Sequence, residues 1–124
     1  CLTESVRDVA ATIRRGGAVI ARVDGVAAAS ARYEVQGGHL YVSRVAVLPD
    51  YRGCGLAGEL MHAMDQIAEA LGLESLQLQT RLNLPRNIRL YEKLGYRVID
   101  TWQSESGADV QVLMEKRLEH LVLA

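Results

Sequence analysis

The densest chemical signal in the chain runs from Val45 to Gly58. An apolar, β-branched run, Val45-Ala46-Val47-Leu48, stops at Pro49. The short polar turn Asp50-Tyr51-Arg52 follows, and Gly53-Cys54-Gly55-Leu56-Ala57-Gly58 opens an amphipathic segment. Strand, glycine loop and helix start are the parts with which a fold offers backbone N–H groups to a phosphate. Glycines suit that task because no Cβ stands between the backbone and the anion. The expected chemistry is the holding of a phosphate-bearing ligand.

The hexapeptide fits the G-x-G-x-x-G fingerprint of dinucleotide-binding folds, but its surroundings do not. In those folds the strand runs straight into the first glycine, and an acidic residue after the next strand receives a ribose hydroxyl. Here Leu48 to Arg52 intervene, and Thr80-Arg81 stand where the acid belongs. No Gly-Lys-Ser/Thr follows, which excludes a P-loop. A glycine turn that only lets a helix pack close to a strand fits the loop taken alone equally well.

The elements that must position this loop follow from periodicity. Val6, Val9, Ala10 and Ile13 predict a helix over Thr3–Arg15, ended by Gly16-Gly17. Ala18–Val23 and Val26–Val35 read as strands joined at Asp24-Gly25, a hairpin signal. His39–Val47 alternates early and is continuously apolar late, as a strand that becomes buried on both faces would be. Leu56, Leu60, Met61, Met64, Ile67, Ala68 and Leu71 form the apolar stripe of a helix over about Leu56–Leu71. Ser75–Thr80 is a strand, Asn87–Leu94 a short helix, and Tyr96–Gln103 with Val110–Glu115 a final hairpin. The order predicts an α/β fold with a mixed sheet, in one domain over residues 1–124. Its strand–helix–strand unit, ending at Val47 and resuming near Ser75, should be parallel.

Composition removes whole classes of function. The 124 residues carry a net charge of −1, so no basic footprint marks a nucleic acid or an anionic membrane as partner. No apolar run reaches the length of a membrane span, and no secretory signal stands at the start. No Cys/His/Asp/Glu cluster has metal-ligand spacing. A disulfide between Cys1 and Cys54, the two cysteines, would tether the ligand loop. Both therefore read as free thiols, which favours a cytoplasmic setting.

Arg52-x-x-Gly55-x-Ala57 resembles the Arg/Gln-x-x-Gly-x-Gly/Ala motif of the GNAT family, the GCN5-related N-acetyltransferases. Asn87-Ile88-Arg89-Leu90-Tyr91-Glu92-Lys93-Leu94-Gly95-Tyr96 is similar to that family's second signature, and lies at the expected distance. The order of elements agrees from residue 3 to residue 115. The resemblance implies a GNAT fold and acetyl-CoA as acyl donor. It places the pyrophosphate on Arg52, Gly53, Cys54, Gly55, Leu56, Ala57 and Gly58. The pantetheine arm falls along Val45, Ala46 and Val47, where a main-chain N–H polarises the thioester carbonyl. Asn87 contacts that arm or orients the neighbouring strand, and Tyr91 matches the general acid for the leaving thiolate.

A phenol with pKa near 10 protonates a thiolate with pKa near 8.5 only at a cost of about 2 kcal/mol. Tyr91 is therefore expected to act mainly as a hydrogen-bond donor. On the acceptor side, an amine with pKa near 10.4 is neutral in only about one part in 2,500 at pH 7, so a base is needed. Some family members place a Glu in the strand before the second signature. Leu78-Gln79-Thr80-Arg81 stands there, and Gln79 cannot take a proton. Glu34 and His39 remain as bases acting through water, or as ordinary exposed residues.

A complete GNAT domain opens with a strand and helix that this reading does not find, so the chain reads as N-terminally incomplete. The strand Ala18–Val23 would then be a bare edge, open to a homodimer partner. The leading expectation is acetyl-CoA-dependent N-acetyl transfer to a primary amine by direct attack in a ternary complex. A non-catalytic acyl-CoA-binding or regulatory module is the alternative, and nicotinamide-dinucleotide binding the third.

Overall fold

The computed structural model describes residues 7–10 and 14–119. Seven strands form one mixed sheet: β1 (Arg7–Ala10), β2 (Gly16–Val23), β3 (Val26–Gln36), β4 (His39–Val47), β5 (Ser75–Arg81), β6 (Arg97–Gln103) and β7 (Val110–Arg117). They lie in the order β1-β2-β3-β4-β5-β7-β6. Two helices, α1 (Leu56–Ala70) and α2 (Pro85–Lys93), follow β4 and β5. The strand–helix–strand unit is parallel, as expected: β4 pairs with β5 in parallel and all other neighbours are antiparallel.

Local chemistry explains the connections. Asp24 and Gly25 both take positive φ, 50° and 80°, the requirement of a tight two-residue hairpin turn. Pro49 opens a single 3-10 turn, Pro49–Tyr51, which separates β4 from the glycine loop. Pro85 occupies the first turn of α2, where a missing N–H costs nothing.

One face of the sheet carries the core. Val19, Ala21, Ala31, Leu40, Val42, Leu76, Leu78, Val112 and Met114 pack with Leu56, Leu60, Met61, Met64 and Ile67 of α1. Burying each large side chain is worth about 1.5–3 kcal/mol of transfer free energy. The expected helical stripe is buried in full except for the partly covered Leu71. Arg32 and Glu34 point away from the core and are exposed.

The helix expected over Thr3–Arg15 is corrected. Arg7–Ala10 is a strand, registered from Arg7↔Val23 to Ala10↔Ile20; residues 1–6 and 11–13 lie outside the described residues. Four residues with a helical apolar spacing carry little intrinsic preference. The open hydrogen-bonding edge of β2 offers them a complete ladder. β2 is therefore no edge strand, and the argument for a homodimer partner at Ala18–Val23 falls with it. Arg7 also reaches α1, with Nη1 at 3.3 Å from Glu59 Oε1.

Candidate active site

Two irregularities in β4 shape the site. Across β3 the register runs Ser30↔Ala46 and then Arg32↔Ser43, so Arg44 and Val45 together oppose Ala31. This bulge holds Arg44 at φ 53°, a left-handed conformation that costs a non-glycine residue about 1 kcal/mol. Across β5 the parallel ladder stops at Val42↔Leu78, although β4 continues to Val47 and β5 to Arg81. The two strands part, and each presents backbone groups that no neighbouring strand pairs across the gap.

The gap is a cleft of about 520 Å³. Ser43, Arg44 and Val45 line one wall, Gln79, Thr80 and Arg81 the other, and Asn87 and Tyr91 of α2 close it. Tyr91 is 7% exposed, and burial raises its phenol pKa above 10. Its ring stands edge-on to Tyr96, with centroids 5.9 Å apart. Tyr96 is pushed up further, by burial first and then by the Asp65 carboxylate and Tyr91. Gln79 Nε2 donates to Gln111 Oε1 at 3.0 Å, so its amide is held across to β7. None of the residues lining the cleft is Asp, Glu or His.

The glycine loop stands beyond the cleft. Gly53 and Gly55 both have φ 78°. Gly55 caps α1 with no side-chain hydrogen bond to the helix start, and the first helical bond is Glu59 N to Gly55 O at 3.2 Å. The amides before Glu59 thus have no capping side chain. A Cβ placed on Gly53, Gly55 or Gly58 would meet nothing within 4 Å. Arg52 is exposed, Leu56 buried and Ala57 half-buried.

The sequence-predicted residues fall into three groups. Val45, Asn87 and Tyr91 meet in the cleft. Arg52 to Gly58 form the loop at the head of α1. Ala46 and Val47 line neither; they border an apolar groove with Ile20, Leu48 and Pro49. Cys54 is corrected: it is disulfide-bonded rather than a free thiol, and the argument for a reducing compartment loses that support. The chain's other cysteine, Cys1, lies outside the described residues.

A second cavity, of about 510 Å³, adjoins the cleft through the shared residues Ser43 and Arg44. Arg32 and Glu34 line it, whereas His39 lines neither cavity. The Glu34 charge reaches Tyr41, whose pKa is raised by burial and then by that carboxylate. Arg44, Tyr41 and Arg32 escaped sequence reasoning. The bulge that brings Arg44 to both cavities has no glycine to announce it, and Arg32 reads as an ordinary outward strand residue.

Among the described residues no group of three or more His, Cys, Asp or Glu could hold a metal, and no helix is long and apolar enough to cross a membrane.

A family model described as the acetyltransferase (GNAT) family matches residues 3–96. Among solved structures, the ribosomal-protein-S18-alanine N-acetyltransferase of Escherichia coli is similar at TM-score 0.76 and 24% identity, over 87% of this chain and 72% of that one. The IAA acetyltransferase of Bacillus cereus ATCC 14579 aligns at TM-score 0.75 and 19% identity, over 84% and 79%. A GNAT family acetyltransferase of Elizabethkingia anophelis, solved with acetyl-CoA bound, aligns at TM-score 0.75 and 17% identity, over 84% and 77%. At these identities the likeness is one of fold.

Proposed function

The chain belongs to the acetyltransferase (GNAT) family, and on that premise we propose that it transfers the acetyl group of acetyl-CoA to a primary amine by direct attack with both substrates bound. Acetyl-CoA-dependent N-acetylation is the general activity of the family. The observation that carries the proposal is the parting of β4 and β5 after Val42 and Leu78, with Tyr91 buried in the wall of the gap.

In this reading the uncapped amides from Gly53 to Gly58 receive the pyrophosphate at the positive end of α1. Arg52 adds charge beside it. The free edge of β4 over Val45–Val47 takes the pantetheine arm, and Asn87 contacts it from α2. A main-chain N–H at the bulge stabilises the charge that develops on the thioester oxygen. The acceptor nitrogen forms its bond to the acetyl carbon, the C–S bond breaks, one proton leaves the nitrogen and one reaches the sulfur.

Tyr91 donates a hydrogen bond to that sulfur. Burial keeps its proton bound at neutral pH, so the proton that finally sits on sulfur comes from water. Glu34, in the adjoining cavity, is the carboxylate placed to receive the amine's proton through water. An amine of low pKa, such as an α-amine near 7.7–8.0, needs the least help.

The absence of a carboxylate or imidazole from the cleft lining favours one second reading, a non-catalytic acyl-CoA-binding module. Tyr91→Phe separates the two. Slower thiol release with unchanged acetyl-CoA binding supports the enzyme. Acetyl-CoA binding with no thiol release above the amine-free rate, whichever amine is offered, supports the module.

A further inference from the structure

The second cavity has a charge pattern that the donor does not use. Arg32 and Glu34 lie two residues apart on the outward face of β3, and Arg32 stands directly opposite Ser43 of β4. Arg44 adds a second guanidinium, held on the rim common to both cavities by the bulge. Neither Arg32 nor Arg44 forms an ion pair with a described residue, whereas Arg81 across the cleft has Asp109 at 3.9 Å. Glu34 accepts a hydrogen bond from Gln36 Nε2 at 2.6 Å, so its carboxylate is oriented. Gly16 and Gly17 contribute no side chain to the cavity.

Two guanidiniums against one carboxylate leave one net positive charge, on a wall that meets the cleft at Arg44. Guanidinium forks match the planar, two-oxygen geometry of a carboxylate. A carboxylate balances that surplus once the amine on the same molecule has lost its proton, and Glu34 offers the arriving ammonium a partner. We propose that the acceptor is an amino-acid-like amine, whose carboxylate is held by Arg32 and Arg44 while its nitrogen enters the cleft past Glu34. The proposal rests on the N-acetyltransferase reading of the cleft and names the substrate class for it. The carboxylate is not consumed; it positions the nitrogen that attacks.

Binding tests the arginine site without reference to turnover. L-alanine, L-glutamate, L-phenylalanine and L-lysine are each titrated calorimetrically against their carboxamides, into the purified chain with CoA present. At least one acid should bind more than tenfold tighter than its amide. Arg32→Gln should erase that preference with melting temperature and acetyl-CoA affinity unchanged, and Arg44→Gln should erase it with melting temperature unchanged. No acid binding more tightly than its amide overturns the proposal, as does a preference that survives either substitution. Thiol release with the same compounds then reports on the enzyme reading separately. An acid preference in binding with no release sinks catalysis and leaves the carboxylate site standing. Release from acid and amide alike, with no acid preference in binding, does the reverse.

Discussion

Val42 and Leu78 face each other across the last rung of the parallel ladder between β4 and β5. Both are buried in the core, so the fork opens from a fixed point. Beyond it, one strand bulges at Arg44 and the other continues straight to Arg81, paired only with β7. The cleft is thus framed by two strands of the sheet and closed by α2, an arrangement suited to the alignment of two substrates that the proposed reaction requires.

Tyr91 tests whether the cleft is catalytic. Tyr91→Phe should lower kcat about 10- to 100-fold, the scale of losing one donor to developing charge. The KM for acetyl-CoA should stay within twofold, taken as about 0.4 kcal/mol. Because burial raises the Tyr91 pKa, wild-type activity should show no loss assignable to its ionisation below pH 10. An unchanged kcat in the variant would make Tyr91 a packing residue.

Gly58 tests the phosphate cradle. A Cβ there meets nothing within 4 Å, and the residue lies inside α1. Gly58→Ala should therefore stabilise the fold by about 0.5–1 kcal/mol through helix propensity. If a phosphate approaches that backbone, the same methyl should raise the Kd for acetyl-CoA about tenfold, or roughly 1.4 kcal/mol. Calorimetry and thermal melts read the two effects independently. Unchanged affinity would move the phosphate away from Gly58.

Tyr96 carries a prediction about alkaline stability. Its hydroxyl is buried, with no hydrogen-bond partner among the described residues, and its pKa is raised above 10 by burial, Asp65 and Tyr91. Above pH 10 the unfolded chain releases this proton while the folded chain keeps it. The unfolded state then holds fewer protons than the folded state, so stability falls as pH rises. Tyr96→Phe should stabilise the protein by about 1 kcal/mol at pH 7, by removing an unsatisfied polar group. It should also flatten the decline above pH 10. Denaturant melts from pH 8 to 11 with identical slopes for both proteins would refute this.

Much of the fold is legible in local sequence because local chemistry decides it. Asp24-Gly25 demands a tight turn, the Leu56–Ala68 stripe demands a helix, and Gly95 with φ 99° ends α2. The first strand is not legible, because Val9 and Ala10 suit a helix until the edge of β2 competes for them. At the site, the glycine loop and the α2 signature are visible because each is contiguous. The second cavity is not, since Arg32 and Arg44 are joined only by a one-residue slip between β3 and β4. The Cys54 disulfide is likewise invisible to spacing alone.

The central claim is that acetyl-CoA bound at the β4–β5 fork gives its acetyl group to an amine. The most direct test follows thiol release from acetyl-CoA by the purified chain across a panel of primary amines, with the product detected by mass. Amine-dependent release, one thiol for each acetylated amine, is the predicted result. Tight acetyl-CoA binding with no release above the amine-free rate for any amine would contradict it.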